Sequence, residues 1–373
     1  MSSRERLLAT FRNEPTDRVP VRLWGVNHLV EPGRQVDRPL WEIARRYGID
    51  ILQSWGPREG MGHFLSASDE VSVRSFQRPS DHDGFVEDVT VVSTPAGELT
   101  GVHLRSLEGK PGYQIKHLIE TLEDAKKWLS IPTAPVKPPT DTFFEEQTKL
   151  GDHGALMAGI GHAMYGVNTH TGSQVWAEWS VLERGLLFEM VDVMYGRLEA
   201  YVKHLLAAGV GPIFGYVGPE LCVPPLQSPK DFREFVTAYD QRLIGLIHDA
   251  GGLVWVHCHG KVNAVFDDFV EMGVNCLNPI EPPPMGDITL AEAKRRSAGR
   301  MALEGNVEVG LFQTAEPEEM EAEVEAAMRE GKPGGGFILS PTSDHSHWIA
   351  FDDRILKNYE VLIQTGLRLG RYE

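Results

Sequence analysis

A chain of 373 residues with 42% hydrophobic side chains can bury a large α/β core, which excludes an extended, disordered chain. Its formal net charge of −17 excludes nucleic acid and anionic membrane surfaces as main partners, since both reward clustered Lys and Arg, and serves solubility instead. The three cysteines form no CxxC pair, no run approaches the roughly 18 apolar residues of a membrane span, and the N-terminus has no apolar signal core, so a soluble protein of the reducing cytoplasm is expected.

The chain opens with an amphipathic helix (Leu7, Leu8 and Phe11 on one face), a turn at 13–17 and a first strand candidate at 18–24. A helical pattern at 40–47 leads through Gly48 into a second strand at 50–55. Between 85 and 116, β-branched and polar residues alternate around Pro95-Ala96-Gly97, which predicts a β-hairpin insertion after the second strand. From residue 150 the alternation is regular, with strand-like runs at 155–160, 212–216, 253–258, 276–280, 301–305 and 337–340. The helices between them carry readable caps: Ser228-Pro229 ahead of Phe232 and Phe235, Thr289 with Glu292 as a capping box, and Thr314 opening the acidic helix that ends at Gly331. Eight strand-helix units over 1–373 predict one (β/α)8 TIM barrel, with a doubly wound open sheet as the alternative.

The stretch 254–260, Val-Trp-Val-His-Cys-His-Gly, organises the site. In an extended chain His257 and His259 share a face and Cys258 points the other way, and both imidazoles stand at the carboxyl end of a strand, where barrels build their sites. Residues just past the other strands should converge there: Trp24 and His28, Trp55, His162 and Tyr165, Glu220 and Cys222, Asn278 and Glu281, Glu304 and Asn306, then Asp344, His345 and His347. Two imidazoles at i and i+2 suit zinc, which needs further ligands; Glu220 and His345 are the candidates, with Asp344 and Glu304 orienting ligands or moving protons. Trp24, His28, Trp55, His162, Tyr165, Asn278, Asn306 and His347 are assigned to substrate, with Trp24, Trp55 and Tyr165 equally readable as barrel plugs. Cys258 and Cys276 are expected to pack. Cys222 lies in a loop within reach of the site. There is no GxSxG, P-loop or helix-opening GxGxxG, which disfavours esterase, NTPase and dinucleotide chemistry.

Several motifs, in order, resemble the uroporphyrinogen decarboxylase superfamily, which includes the zinc methyltransferases of corrinoid-dependent demethylation. They are Arg4-Glu5-Arg6-Leu7-Leu8 with Glu14-Pro15-Thr16-Asp17-Arg18-Val19-Pro20, Ser228-Pro229 with Phe232 and Phe235, Gly305-Asn306-Val307, and Gly335-Gly336-Phe337-Ile338-Leu339. The decarboxylases carry an Arg-Gln-Ala-Gly-Arg stretch where this chain has Leu23-Trp24-Gly25-Val26-Asn27-His28, so a tetracarboxylate would find few cations here. The thiol-activating zinc enzymes carry His-x-Cys-Gly where this chain has His257-Cys258-His259-Gly260, which leaves the metal a harder ligand set suited to polarising oxygen or nitrogen.

The resemblance implies a methyltransferase using zinc, with a small methylated or methoxylated substrate and a corrinoid carried by a partner protein as acceptor. The rivals are a metal-free decarboxylase or lyase with His257, His259 and His345 as proton donors, whose activity would survive chelation, and a non-catalytic corrinoid or small-molecule binder, which would bind without turnover. A homodimer is compatible with the sequence.

Overall fold

The computed structural model describes residues 1–344 and 350–372. The first strand of the main sheet, β1 (Ile51–Trp55), is followed by an antiparallel unit of β2 (Ser72–Pro79), β3 (Phe85–Thr94), β4 (Gly97–Ser106) and β5 (Tyr113–Lys116). The parallel alternation then resumes as β6 (Gly154–Gly159), β7 (Ile213–Val217), β8 (Leu253–His257), β9 (Cys276–Ile280), β10 (Ala302–Val307) and β11 (Phe337–Pro341). The main sheet runs β1-β6-β7-β8-β9-β10-β11, all parallel, and is curled like a TIM barrel. The antiparallel unit is a separate four-stranded sheet that begins at Ser72, so the expected hairpin at 85–116 is replaced by a larger element. Among the described residues no helix is long and apolar enough to cross a membrane.

The predicted first strand at 18–24 contracts to one parallel bridge, Val21 with Leu339. The Leu339 amide donates to the Pro20 carbonyl at 2.9 Å and the Arg22 amide to the Leu339 carbonyl at 3.1 Å, while on the other side the Asp50 amide donates to the Val21 carbonyl at 2.9 Å. This segment therefore spans the gap between β11 and β1. It does not extend as a ladder because Pro20 has no N–H and the Val21 amide is taken by the Asp50 side chain at 2.9 Å.

Strand phase decides what faces the barrel axis. Leu52, Ala155, Met157, Ile213, Leu253, Trp255, Cys276, Ala302 and Ile338 form one buried cluster, and Leu7 and Phe11 of the first helix (Ser3–Phe11) join it. On β8 the same phase carries Leu253, Trp255 and His257 upward in turn. The larger core, between strands and helices, takes the opposite phase: Trp55, Phe214, Tyr216, Val254 and Val256. Helix starts follow the capping chemistry in part. Ser228 and Asp231 cap each other's backbone, with Pro229 at the first position, and a π-turn (Arg233–Thr237) interrupts the helical run beyond it. Thr289 caps Glu292 through its hydroxyl, but the Glu292 carboxylate pairs with Arg295 instead of returning the bond. The acidic helix starts at Pro317, capped by Glu316 and Glu319, and Thr314 ends a short turn before it.

Asp50 ties the amino-terminal segment to the barrel. It is 1% exposed and accepts from Arg6 at 2.7 Å, Arg18 at 2.7 Å and the Val21 amide. Removing that carboxylate would leave two guanidinium groups without their shared partner. Asp50→Ala is expected to lower stability by about 3–5 kcal/mol in urea unfolding, with Asp50→Asn losing less because it keeps one acceptor.

Candidate active site

The HxH pair is built by the β8 phase and by partners on β9 and just past its end. His257 is half-buried, and its Nδ1 donates to Asn278 Oδ1 at 2.8 Å; Asn278 is fully buried on β9 in register with it. One residue beyond β9, Glu281 accepts from His259 Nδ1 at 2.8 Å and from the Gly260 amide at 2.7 Å. The two imidazoles meet edge to face with centroids 4.5 Å apart. With each Nδ1 committed as a donor, Nε2 carries the lone pair in the neutral form of each ring.

The surroundings shift the two rings in opposite directions. Burial pushes the His257 imidazole down to about 4 despite its bond to Asn278, and the neighbouring His259 and Arg22 push the same way. Burial also works against protonated His259, but the Glu281 hydrogen bond and charge, with Glu220 and Glu308, outweigh it and raise the pKa. In return His259 and the Gly260 amide hold the Glu281 carboxyl below its ordinary range despite burial.

Beneath His257 lies an aromatic and ionic floor. Trp255 stacks under the imidazole at 5.8 Å and 17°, and Trp24 meets it edge-on at 5.0 Å. The Trp255 indole donates to Glu304 Oε2 at 2.8 Å, and Glu304 Oε1 stands 2.8 Å from Arg22 Nη1. That pair is almost wholly buried, and the Arg22 guanidinium lies 5.4 Å from the Trp24 ring.

The other predicted residues divide. Tyr165 is half-buried beside the loop after β7, so close to Gly218 that a Cβ there would lie 2.3 Å from the tyrosine Cβ. In that loop Glu220 turns back to accept from the Gly218 amide at 2.9 Å. Asn306 donates to the Ile280 carbonyl at 2.8 Å, where the β9–β10 register shifts, so its amide secures the strands. Asp344 is exposed and lines a cavity of about 340 Å³ that also contains Trp24. His345 and His347 lie outside the described residues.

Three residues assigned to the mouth lie on the outer side of the sheet. Trp55 packs on Phe143 at 5.2 Å and donates to Thr142 at 3.1 Å, because Leu52 faces the axis and a residue three positions on faces away. His28 is buried beside His153 at 6.4 Å, drawn there as Asn27 binds the outward-facing Gln53. His162 caps the helix Ala163–Leu182, bonds Asp240 at 3.0 Å and stacks on Tyr216. Glu304 belongs to the layer below the histidines. All three cysteines are buried free thiols, Cys276 in the barrel interior and Cys222 and Cys258 in the outer core.

A model of the uroporphyrinogen decarboxylase (URO-D) family matches residues 145–347, more than half of the chain, including the HxH pair. The chain belongs to the URO-D family. Its fold superposes on a methyltransferase from Methanosarcina mazei with a TM-score of 0.61 at 16% sequence identity, covering 99% of both chains, which is a likeness of fold. A putative dehydratase from Mesorhizobium loti, 13% identical over 73% of this chain and 86% of its own, gives a TM-score of 0.17 and carries no argument. No curated protein matches.

Within this URO-D site the parts not legible beforehand are Arg22, Trp255 and the role of Glu281. Alternation offered a signal for two of them, since Arg22 stands two residues before Trp24 and Trp255 two before His257. Glu281 was visible as a carboxylate past β9, but its bond to His259 depends on the depth at which β9 ends.

The contrast between the rings has a measurable consequence. Between the ordinary histidine pKa near 6.5 and about 4, the unfolded chain binds a proton that His257 refuses in the folded state, so this group removes stability on acidification. His259 works in the opposite direction: its raised pKa contributes stability below about 6.5 that is lost as pH rises through the folded value. In chelator-treated protein, imidazole NMR should show His257 neutral as the Nδ1–H tautomer down to about pH 4 and His259 titrating above 6.5. Matching titrations would contradict the assigned partners.

Proposed function

We propose that the chain is a metal-dependent methyltransferase of the URO-D family, moving a methyl group between a small methylated or methoxylated substrate and a corrinoid carried by a partner protein. The observation that carries this is the pairing of His257 with Asn278 and His259 with Glu281, which fixes both Nδ1 atoms as donors and leaves Nε2 of each ring, in its neutral form, as the atom free to bind a metal. Metal-binding histidines are oriented in this way by carboxylates and amides behind them. Among the described residues no group of three or more His, Cys, Asp or Glu is arranged to hold a metal ion by itself, and His257 and His259 would supply two donors. The further donors offered by the sequence are Glu220 and His345.

A zinc ion bound there supplies Lewis acidity towards a substrate oxygen or nitrogen. The chain's own residues do the rest. Asn278 and Glu281 hold the rings, and Glu281 opposes loss of the His259 proton. Trp255 and Trp24 exclude water from the His257 face. Two nitrogens without a described thiolate favour activation of a heteroatom donor over a thiol acceptor.

The ion pair of His259 with Glu281 at 2.8 Å specifically favours one second reading, a metal-free lyase with His259 as proton donor. Elemental mass spectrometry separates the two. About one zinc per chain is expected in protein purified without a metal-binding tag, lost in His257→Ala/His259→Ala. Asn278→Ala and Glu281→Gln should each weaken metal affinity about 10–100-fold. Activity that survives complete chelation would establish the lyase and refute the methyltransferase.

A further inference from the structure

We propose that strand β2 is a docking edge for a second copy of this chain, whose own β2 adds antiparallel across a two-fold axis and joins the two four-stranded sheets into one of eight strands. The inference does not depend on the chemistry proposed for the barrel. The antiparallel sheet is ordered β2-β3-β4-β5, so β2 is an edge. It pairs with β3 over eight consecutive residues, from Ser72 with Ser93 to Pro79 with Val86, with no shift of register. Such an edge is a template for another strand, and native edges are commonly blunted by a bulge, a proline or an uncompensated charge. Here there is no bulge, the only proline is the last residue, and both arginines are matched within their own sheet. Arg74 stands 3.5 Å from Glu98 and Arg78 stands 2.6 Å from Glu87. On a chain of net charge −17, β2 is a run without a carboxylate, where a like-charged copy can approach.

The backbone pattern fixes which groups are free. Thr94 pairs with Gly97 across the two-residue turn Pro95-Ala96, so Thr94 and every second residue before it turn their backbone groups to β4. The residues between them turn to β2, where their partners are Ser72, Arg74, Phe76 and Arg78. The N–H and C=O groups of Val73, Ser75 and Gln77 are therefore left facing outward. A two-fold contact must lay this set on itself. Centred on Arg74 it sets that guanidinium against its own copy, and centred on Phe76 it sets Arg74 against Arg78 twice. Like charges directly opposite are destabilising. Centred on Ser75 it sets Val73 against Gln77 in hydrogen-bonded pairs, and Arg74 of each chain against Phe76 of the other in the closer pairs between them. That register brings a guanidinium to an aromatic ring twice and covers a phenylalanine that is 46% exposed in the single chain.

The test is sedimentation of the full chain over a range of concentrations. One strand pair makes a small interface, so a dimer populated at about 10–100 µM and dissociating below about 1 µM is expected. Ser75→Lys sets two ammonium groups opposite each other at the axis and should weaken the dimer roughly tenfold or more. The position is exposed, and the hydroxyl it removes bonds only Thr90, at 3.4 Å, so the fold is retained. Ser75→Cys should link two chains on mild oxidation with diamide, because Cα atoms of such a pair lie about 5.5 Å apart, within disulfide reach. Arg74→Cys and Phe76→Cys should not, and the native cysteines are buried. A monomer at about 200 µM, a dimer indifferent to Ser75→Lys, or cross-linking at 75 no better than at 74 and 76 would overturn the proposal.

Discussion

The arrangement above β8 depends on one buried ion pair, Arg22 with Glu304, set inside the barrel under the histidines. Moving two such ions out of water costs several kcal/mol per ion, and apolar residues of similar volume would serve stability as well or better. Nη1 and Oε1 stand 2.8 Å apart yet make no directed hydrogen bond, so charge holds the pair. What it provides is placement. Glu304 fixes the Trp255 indole, Trp255 stacks under His257, and Arg22 lies against Trp24, which closes the other side of the same imidazole. The pair also joins the segment that spans β11 and β1 to β10, the strand on the other side of β11. Closure of the sheet and orientation of His257 thus share one electrostatic contact.

Above that floor, two histidines of identical chemistry are made unequal by their partners. Asn278 is neutral and holds a neutral ring; Glu281 is anionic and favours a protonated one. Both partners fix the same tautomer, so the difference lies in charge and not in geometry. A metal would have to displace the His259 proton but not one from His257, so affinity at the two nitrogens should depend differently on pH. Cys258, between them in sequence, is turned into the outer core by the alternation that brings the imidazoles together.

Much of this was readable from the sequence, for physical reasons that can be named. Apolar runs bounded by turn residues located β1 and β6–β11, and the i, i+2 rule put His257 and His259 on one face. What the runs do not specify is which face of each strand meets the axis near its end. Trp55, His28 and His162 all come after strands at plausible mouth positions, yet Leu52, the Asn27–Gln53 contact and the helix-capping role of His162 send them outward. The antiparallel unit was under-read because β2 is almost wholly exposed and carries no apolar alternation. The pairing of Glu304 with Arg22 is hidden because they meet across 282 positions of chain, which no local pattern encodes.

At the mouth the β1–β7 side is small where the β8–β10 side is bulky and polar. Continuing each interior phase upward places Ser54, Gly159 and Val217 at the ends of β1, β6 and β7, and all three are exposed. One layer lower, Gly215 leaves room for Met157, since a Cβ there would lie 2.4 Å from its sulfur. β7 reaches the level of His257, with Val217 in register beside it, and at that height β1, β6 and β7 present only short side chains. His257, Asn278 and Asn306 stand at the ends of the neighbouring strands β8, β9 and β10. The mouth is thus lined by short side chains on the β1–β7 side and by imidazoles and amides on the β8–β10 side, with Trp24 against the His257 ring. Room at the mouth is set by what β1, β6 and β7 omit and orientation by what β8, β9 and β10 carry, so the two can change independently within one barrel.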